Sequence, residues 1–340
     1  MRAVVMTKTG TPDVLKCLDV PTPTPKAGQV RVQIKAAGLN FAELMARQGL
    51  YPDAPKMPCI LGYEAAGIVE AVGEGVSKNN IGRRVIVTAP FGAQAEYACT
   101  RHDLVFDMPD EMSFEEGASI PVNYLTAHHM LFYVGNLKPN QQVLVHMAAG
   151  GVGIAALQLC KNIEGVNVFG TASKPKHDIV RQHGCNQAID YRIEDYYDVV
   201  KNATGGKGVD IVLDALGGKD WGKGYRLLKP TGRLITFGFA NMASGEKRSL
   251  LNVIKQIWSI RKFSPVSLMN SNRSVSGVHL GRLWSQEHVL RPALHELLEL
   301  YKAKKIKPVI DSSFSFDDAA SAHRRMHRRE NIGKVVLVPS

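Results

Sequence analysis

The stretch QVLVHMAAGGVGIAALQLC, residues 142–160, decides the fold of this chain. It begins with a short apolar run, residues 142–148, which is typical of a buried strand. Apolar residues then recur at helical spacing over residues 151–163. The glycines of AAGGVG, residues 148–153, lie at the turn between the two elements. This order predicts a strand that passes through a tight turn into a helix, which is the repeating unit of an α/β sheet.

The glycine turn indicates a dinucleotide-binding site. Compared with the pattern G-x-G-x-x-G, Ala148 stands at the first glycine, and Gly150 and Gly153 keep the other two. Gly150 would let the backbone approach a pyrophosphate, and Gly153 would let the helix pack closely on the strand. The helix N-terminus offers N–H groups to phosphate. The predicted cofactor-binding residues of this turn are Ala149, Gly150, Gly151, Val152 and Gly153. The alternative is an ordinary tight turn of an α/β protein.

The end of the next strand selects the cofactor. An acidic residue there would bind the ribose 2′-hydroxyl of NAD, but the chain reads GTASKPK over residues 170–176. Ser173 and Lys174 take the place of the acid, and Lys176 follows. A hydroxyl and an ammonium attract a 2′-phosphate, so the sequence favours NADPH. The alternative is a solvated basic start of a helix.

Away from this stretch, the chain divides into two kinds of pattern. From about residue 126, strands such as GVDIVLDALG and GRLITFGFA alternate with helical spacers, which predicts a doubly wound parallel sheet. Residues 1 to about 125 contain many short β-branched runs, such as QVRVQIKAAG and RRVIVTAP, separated by turn signals. The predicted fold class is therefore α/β, with a Rossmann sheet and a second, irregular β-rich domain.

Composition limits the partners. The chain has 340 residues, 45% hydrophobic and 21% charged, with a formal net charge of +11. The positive charge favours anionic ligands or surfaces, although a generally basic surface with no partner is an equal alternative. Five scattered cysteines fit reduced cytosolic thiols, and no apolar run reaches the roughly 18 to 20 residues of a membrane span. We expect a cytoplasmic protein. No RNA-binding motif is present, so a nucleic-acid partner is not expected.

Several motifs together resemble the medium-chain dehydrogenase/reductase family. They are GLNFAELMARQGLY (38–51), LGYEAAGIVEAVGEGV (61–76), AAGGVG (148–153) and GKVVL (333–337). The chain is most similar to the zinc-free quinone oxidoreductase branch, and within it to the vesicle amine transport protein group. The resemblance implies a GroES-like catalytic domain from residues 1–125 and 266–340. It also implies a Rossmann domain from residues 126–265, an active site in the cleft between them, and a homodimer formed through the edge of the Rossmann sheet.

The resemblance also implies roles for individual residues. Tyr51 and Asn40 would be catalytic, with Tyr51 as proton donor and Asn40 polarising the substrate. Beyond the glycine turn, the implied cofactor-binding residues are Asn123, Thr126, Ser173, Lys174, Tyr191, Phe237, Gly238, Val278, Leu280 and Lys334. Asn123 and Thr126 would lie near the nicotinamide, and Tyr191 near the 2′-phosphate. The alternatives are loop hydrogen bonds for the polar side chains and half-buried packing for Tyr51.

The same comparison predicts that no metal is bound. Zinc-dependent relatives supply a cysteine, a histidine and a third ligand, where this chain has Asn40, Tyr63 and the region of Val122. Amides and phenols are poor zinc ligands. Alcohol oxidation needs a Lewis acid, so we expect hydride transfer to an acceptor that is already electrophilic, a quinone or an α,β-unsaturated carbonyl.

The segment 241–272 is longer than a Rossmann connection needs. Cations at positions such as Lys255 and Arg261 flank apolar residues at helical spacing, which is the pattern of a basic amphipathic helix. The favoured interpretation is a helix that buries its apolar face within the protein, over the cleft or at the dimer edge. The alternative is contact with an anionic membrane surface. It would suit a membrane-associated adaptor or regulatory protein that retains the reductase fold, peripheral on vesicles or organelles.

Overall fold

The computed structural model describes residues 1–243 and 245–340. The strands, in chain order, are β1 (Arg2–Met6), β2 (Leu15–Asp19), β3 (Gln29–Leu39), β4 (Cys59–Ile60), β5 (Glu64–Val72), β6 (Arg84–Thr88), β7 (Tyr97–Arg101), β8 (Val105–Asp107), β9 (Gln142–Val145), β10 (Asn167–Thr171), β11 (Gln187–Ile189), β12 (Val209–Asp214), β13 (Leu228–Thr236), β14 (Ser274–Gly277), β15 (Ile310–Ser315) and β16 (Lys334–Val338).

Most of the helices are short. In chain order they are α1 (Phe41–Arg47), α2 (Phe114–Gly117), α3 (Pro121–His128), α4 (Gly151–Lys161), α5 (His177–Gln182), α6 (Tyr196–Ala203), α7 (Lys219–Leu227), α8 (Leu250–Trp258), α9 (Pro265–Ser271), α10 (Glu287–Lys302) and α11 (Ala319–His327). A π-helical segment, His129–Val134, directly follows α3.

The chain forms two compact units. The first comprises Met1–Val122, Gly245–Arg248 and Lys307–Ser340, and the second comprises Asn123–Ser244 and Ser249–Ile306.

The first unit is built on β-sheets. In the described chain its larger sheet has the order β15-β16-β3-β5-β6-β8, with β7 also paired to β3, and a smaller sheet has the order β2-β1-β4. β3 is long enough to pair with β7 through its first half and with β16 through its last residues, while β5 runs along its other side. The alternation of buried and partly exposed residues along β3 fits a strand that packs one face on a core.

The second unit contains one parallel sheet. Its order among the described residues is β11-β10-β9-β12-β13-β14, and every neighbouring pair is parallel. The central strands β9 and β12 are almost wholly buried, as expected for a sheet covered by helices on both faces. Together with the first unit, this sheet confirms the predicted α/β class with a Rossmann sheet and a GroES-like β-rich domain.

The structure divides the chain differently from the predicted boundaries of 126–265 and 266–340. Residues 266–306 belong to the second unit, because β14 adds to β13 as a further parallel strand and α10 follows it. In contrast, residues 245–248 belong to the first unit. There Arg47 donates a hydrogen bond of 3.2 Å to the carbonyl of Glu246, and Gln48 donates one to the carbonyl of Gly245.

The amphipathic helix of segment 241–272 is present as α8, with Ser249 accepting a hydrogen bond from the backbone N–H of Asn252 at its start. Ser244, in the same segment, lies outside the described residues. Within the single chain, the apolar face of this helix is not covered. Leu251 is 82% exposed and Trp258 is 86% exposed. Only Asn252, Val253 and Gln256 are half-buried, so α8 packs through one narrow, mainly polar side.

Among the described residues, no helix is both long and apolar enough to span a bilayer.

Candidate active site

The predicted site residues fall into two sets, one in each unit, and the glycine turn organises the set in the second unit. β9 ends at Val145, and α4 begins at Gly151 with Gly150 as its N-cap. The first N–H groups of a helix lack partners within it, so those of this turn point out of the helix end. A Cβ on Gly150 would have only the carbonyl of Met147 nearby, at 3.3 Å, which leaves an open cradle beside the N-terminus of α4.

The other two glycines of the turn allow close packing. A Cβ on Gly153 would collide with the carbonyl oxygens of Met147 and Ala148, so a side chain there would push α4 off its strand. A Cβ on Gly151 would collide with the side-chain amide of Asn123. The structure therefore places Asn123, on α3, directly against the first turn of α4. Thr126 follows one turn later on the same helix and is also buried.

The residues predicted to surround a 2′-phosphate lie at the ends of β10 and β11. Ser173 is buried, whereas Lys174 and Tyr191 are exposed. Asp190 connects the two loops, because its carboxylate accepts a hydrogen bond of 3.2 Å from the N–H of Lys174 and one of 3.1 Å from the N–H of Arg192. The carboxylate of Asp190 is thus engaged by backbone N–H groups, and the neighbouring carboxylate of Glu194 accepts a 2.9 Å hydrogen bond from the N–H of Asp190. Lys174 and Tyr191 add an exposed ammonium and phenol.

The residues predicted for the nicotinamide end also come together. Phe237 and Gly238 directly follow β13, and the N–H of Val278 donates a 2.9 Å hydrogen bond to the carbonyl of Thr236, the last residue of β13. Val278 and Leu280 are buried. A Cβ on Gly238 would approach the carbonyl of Ala215 to 3.0 Å, so the loop there packs tightly on the end of β12. The open cradle, the close-packed glycines and the cationic corner fit a phosphorylated dinucleotide.

In the first unit, the ends of three neighbouring strands meet at Asn40. β3 ends just before Asn40, β5 begins at Glu64 and β16 begins at Lys334. The ammonium of Lys334 donates a 2.6 Å hydrogen bond to Oδ1 of Asn40 and forms an ion pair with Glu64. Nδ2 of Asn40 donates a 2.9 Å hydrogen bond to Oε1 of Glu64. The other carboxylate oxygen of Glu64 accepts a 2.7 Å hydrogen bond from the N–H of Val122.

Glu43 supports the same cluster from α1. Its Oε2 accepts a 2.8 Å hydrogen bond from the N–H of Asn40, the pattern of a capping residue three positions into a helix. Its Oε1 is buried with no hydrogen-bond partner among the described residues. Burial raises the pKa of Glu43 to about 8, and the positive charge of Lys334 opposes this increase. Glu43 is therefore mainly protonated at neutral pH.

Tyr51 lies in an aromatic group beside the cluster. Its ring packs edge-on against Tyr63, with the ring centroids 6.1 Å apart, and Tyr63 in turn packs against Phe91 at 4.8 Å. Tyr51 is half-buried, while Tyr63 is buried and burial raises the pKa of its phenol. Of these two tyrosines, Tyr51 is the less buried.

The positions that hold zinc in zinc-dependent relatives do not fit this metal here. Asn40 has both its amide oxygen and its amide nitrogen engaged by Lys334 and Glu64. Zinc prefers thiolate, imidazole and carboxylate ligands, and the neighbouring Tyr63 is a buried neutral phenol. Within the described ranges, no three His, Cys, Asp or Glu side chains are grouped to hold a metal ion.

Sequence reasoning missed several residues of these sets. Glu43 and Glu64 lie within quoted motifs, and the capping spacing from Asn40 to Glu43 was a usable signal. Asp190 follows a strand, where a carboxylate is common and therefore uninformative. His146 and Asp214 form a buried pair at the ends of β9 and β12, with His146 Nε2 and Asp214 Oδ2 3.9 Å apart. No sequence pattern indicates this pair.

Comparisons with known proteins agree with this architecture. Two family models match, the alcohol dehydrogenase GroES-like domain over residues 26–110 and the zinc-binding dehydrogenase over residues 183–337. The synaptic vesicle membrane protein VAT-1 homolog of Danio rerio is 48% identical over 99% of this chain and 69% of its own length. Quinone oxidoreductase of Homo sapiens is 32% identical over 99% of this chain and 98% of its own length.

A solved structure extends the comparison to the fold. The crystal structure of Escherichia coli quinone oxidoreductase complexed with NADPH matches with a TM-score of 0.88 at 30% identity, over 100% of both chains. The chain therefore belongs to the medium-chain dehydrogenase/reductase family, with VAT-1 homologues and quinone oxidoreductases among its relatives. This confirms the resemblance recognised in the sequence, and the chain carries the NADP-binding domain of that family.

Proposed function

We propose that the chain is a zinc-independent, NADPH-dependent oxidoreductase that reduces a quinone or an α,β-unsaturated carbonyl. The observation that carries the proposal is the environment of Asn40. At the position where zinc-dependent relatives place a metal-binding thiolate, this chain has an amide bonded to a buried ammonium and a carboxylate. Such a site offers hydrogen bonds and proton donors but no Lewis acid, which suits acceptors that are already electrophilic.

NADPH is the proposed cofactor because of the corner formed by Ser173, Lys174 and Tyr191. Two carboxylates lie at this corner. Asp190 accepts hydrogen bonds from the N–H groups of Lys174 and Arg192, and Glu194 accepts one from the N–H of Asp190. A hydroxyl, an ammonium and a phenol remain to receive a phosphate. The quinone oxidoreductase of E. coli, with the same fold, was solved as an NADPH complex.

The bound cofactor would supply the hydride, and the chain's own residues would manage the charge that forms on the substrate. Asn40 would donate a hydrogen bond through Nδ2 to the oxygen that becomes negative. Tyr51 would transfer a proton to that oxygen or relay one from solvent, because its phenol is only half-buried. Tyr63 and Phe91 would keep water away from one side of Tyr51.

Steady-state assays with metal-depleted protein test the activity. We expect NADPH to be oxidised in the presence of small quinones or enones, with no dependence on added zinc and no loss on treatment with a chelator. Asn40→Ala should lower kcat by about a hundredfold, the usual effect of removing one oxyanion donor. If no quinone or enone is reduced by wild-type protein, the proposed activity is wrong.

A charge reversal tests the cofactor assignment separately. Lys174→Glu should weaken NADPH binding about tenfold or more, because it replaces an attraction for the 2′-phosphate with a repulsion. NADH binding should change much less. Lys78→Glu, at an exposed position of the first unit, is the matched control and should leave both affinities unchanged. Equal loss of NADH and NADPH binding in Lys174→Glu would contradict the assignment.

Contact with an anionic membrane surface is a second candidate function, favoured by one observation. The apolar residues of α8, with Leu251 and Trp258 the most exposed, are not covered by the rest of the chain. Cations flank them, among them Lys255, Arg261 and Lys262. Exposed apolar side chains next to basic ones are what a peripheral helix needs to bind anionic lipid. The same surface would serve the adaptor role considered from the sequence.

Vesicle flotation tests this second function. We expect wild-type protein to float with vesicles that contain phosphatidylserine and phosphatidylcholine, but not with phosphatidylcholine alone. The triple variant Lys255→Glu/Arg261→Glu/Lys262→Glu and the double variant Leu251→Ser/Trp258→Ser should each abolish flotation, and Lys78→Glu should not. Failure of the wild-type protein to float with either vesicle would rule the function out.

A homodimer through the sheet of the second unit remains part of the proposal. β14 is the last strand on one side of that sheet, so in the described chain its outer edge is available for a second copy. Light scattering after gel filtration should give twice the chain mass of 37.2 kDa. Replacing Val275 in β14 with proline should give monomers, because proline removes a backbone donor.

A further inference from the structure

The contacts of Lys334 with Asn40 and Glu64 indicate a role for Lys334 that differs from cofactor binding. The strand order β16-β3-β5 brings its three side chains together. Val335 pairs with Leu39 across β16 and β3, and Ala37 pairs with Ala65 across β3 and β5. One residue further along, Lys334 lies opposite Asn40 in the first ladder, and Glu64 lies opposite Gly38 in the second. The side chains of Lys334, Asn40 and Glu64 therefore meet at one end of three adjacent strands.

The contacts fix the orientation of the Asn40 amide. An ammonium has only donors, so the atom of Asn40 that contacts Lys334 Nζ at 2.6 Å must be the amide oxygen. A carboxylate has only acceptors, so the atom that contacts Glu64 at 2.9 Å must be the amide nitrogen. Exchanging the oxygen and nitrogen would break both hydrogen bonds. The amide nitrogen would then face the ammonium of Lys334, and the amide oxygen would face the carboxylate of Glu64.

This orientation determines what Asn40 can offer to a ligand. The amide oxygen is used by Lys334, and one hydrogen of Nδ2 is used by Glu64, so the second hydrogen of Nδ2 is the remaining donor. A positive charge on the amide oxygen draws electrons from the nitrogen and strengthens that N–H as a donor. Such a donor suits an oxygen on which negative charge develops.

Burial separates the roles of the three residues. Asn40 is 8% exposed, whereas Lys334 is 3% exposed and Glu64 is fully buried. Lys334 and Glu64 are thus enclosed and already bonded to each other and to Asn40. They can influence a bound molecule mainly through Asn40.

The free-energy cost of burying Lys334 and Glu64 also indicates a role beyond stability. A buried ion pair is often no more stabilising than apolar residues of similar volume, since both ions lose their hydration. Room for this pair also requires a glycine, because a Cβ on Gly38 would lie 2.7 Å from Oε1 of Glu64 and 2.7 Å from Cε of Lys334. Packing alone does not account for a charged pair in this place.

We propose that Lys334 and Glu64 are positioning residues that hold the side-chain amide of Asn40 as a single-orientation hydrogen-bond donor for the substrate oxygen. This role rests on the proposed reductase function and replaces the predicted contact of Lys334 with the cofactor. Neither residue exchanges a proton with the substrate.

Two measurements on Lys334→Met separate positioning from cofactor binding. We expect NADPH to bind within about twofold of wild type, measured by quenching of protein fluorescence, because Lys334 is enclosed and its ammonium is bonded to Asn40 and Glu64. We expect kcat to fall about tenfold or more, because the donor is no longer held or polarised. Lys334→Arg should recover part of kcat, since a guanidinium can also donate to Oδ1 of Asn40. Loss of NADPH affinity with an unchanged kcat would overturn the proposal.

A double-mutant comparison tests whether the effect passes through Asn40. In an Asn40→Ala background, Lys334→Met should cause no further decrease in kcat, because the group that it positions is already gone. If the decreases in kcat caused by the two single substitutions instead multiply in the double variant, Lys334 acts independently of Asn40 and the proposal is overturned. If Lys334→Met does not fold, Lys334→Met/Glu64→Leu replaces both charges and should fold with the same reduced kcat.

A spectroscopic measurement does not depend on turnover. In protein labelled with ¹⁵N-asparagine, the side-chain resonances of Asn40 are those lost in Asn40→Ala. Lys334→Met should shift them and lower the difference between the two N–H protons, because the amide oxygen loses the ammonium that holds and polarises the amide. Unchanged resonances would overturn the positioning role even if wild-type protein reduces quinones. Shifted resonances in a protein that reduces none would leave the positioning of Asn40 intact and reject the proposed reaction.

Discussion

Each unit buries a carboxylate beside a basic side chain at the ends of neighbouring strands, but the two pairs are built differently. In the first unit, Glu64 and Lys334 form an ion pair in which both carboxylate oxygens have partners. In the second, Asp214 and His146 face each other across 3.9 Å, and neither Asp214 Oδ2 nor His146 Nε2 has a hydrogen-bond partner among the described residues.

The difference lies in which form of each pair burial favours. Burial raises the pKa of Asp214 and lowers the pKa of His146, so the second unit favours neutral forms of both groups. The first unit supplies an ammonium, an amide and a backbone N–H to the carboxylate of Glu64, which are the partners that an ionised carboxylate needs. Equal chemical changes in the two pairs should therefore have unequal effects.

The largest effect is expected for Glu64→Gln. The change keeps the shape of the side chain but leaves the ammonium of Lys334 buried without a counter-charge. We expect the free energy of unfolding to fall by about 3 kcal/mol or more, measured by urea denaturation at neutral pH. Glu70→Gln is a matched control on the same strand, because Glu70 pairs with Arg31 at the surface and should cost less than about 1 kcal/mol. Similar small losses in both variants would show that Glu64 is not ionised.

Glu43→Gln should reveal a pH-dependent effect in the same cluster. The folded protein holds the pKa of Glu43 at about 8, above its ordinary value of 4.5. Between these values the unfolded chain loses the proton and the folded protein keeps it, so wild type loses stability as pH rises through this window. Glutamine can keep the capping bond to Asn40 but cannot titrate.

Urea midpoints measured across that pH window check this prediction. The stability of Glu43→Gln relative to wild type should rise with pH, by a few kcal/mol over the window, and then level off above it. A constant difference at all pH values would mean that Glu43 is ionised in the folded protein. Glu74→Gln, at an exposed position, should show no such trend.

The two pairs also show how far the sequence could be interpreted. The glycine turn, β9 and α4 were predictable, because a strand, a turn and a helix that follow one another give a local pattern. Asn40 and Lys334 were identified separately by resemblance, but their contact spans 294 positions and depends on the pairing of β16 with β3. A local pattern carries no information on such pairing.

Which polar groups are buried could not be predicted from the sequence either. His146 lies within the stretch that decides the fold, yet a histidine at the end of an apolar strand does not reveal whether it is enclosed. The apolar spacing of α8 predicts a covered face, but spacing alone does not say what covers it, and within the single chain that face is exposed. Tertiary packing, rather than spacing, determines both outcomes.

A smaller loss is expected for Gly38→Ala, which perturbs the ionised pair without changing its chemistry. The new Cβ would lie 2.5 Å from the carbonyl oxygen of Ala118 and 2.7 Å from both Glu64 Oε1 and Lys334 Cε, so the pair and the backbone at Ala118 would have to move. Overpacking of this kind costs about 1–3 kcal/mol in the free energy of unfolding. Gly277→Ala in β14 is the control, because its new Cβ would meet no atom closer than 3.9 Å. Equal melting temperatures for wild type and Gly38→Ala would show that the pair is loosely held.

The smallest effect is expected for Asp214→Asn, the same carboxylate-to-amide change in the other unit. Asparagine keeps an oxygen to accept the hydrogen bonds that Oδ1 now receives from the N–H groups of Leu216 and Gly217, at 2.7 and 3.0 Å. Its amide nitrogen would face His146 Nε2 and could donate to it. Because no ion pair is lost, we expect the free energy of unfolding to change by less than about 1 kcal/mol. Asp214→Ala, which removes the acceptor for both N–H groups, should cost more. A loss in Asp214→Asn as large as that in Glu64→Gln would mean that His146 and Asp214 are charged in the folded protein, and the distinction between the two units would disappear.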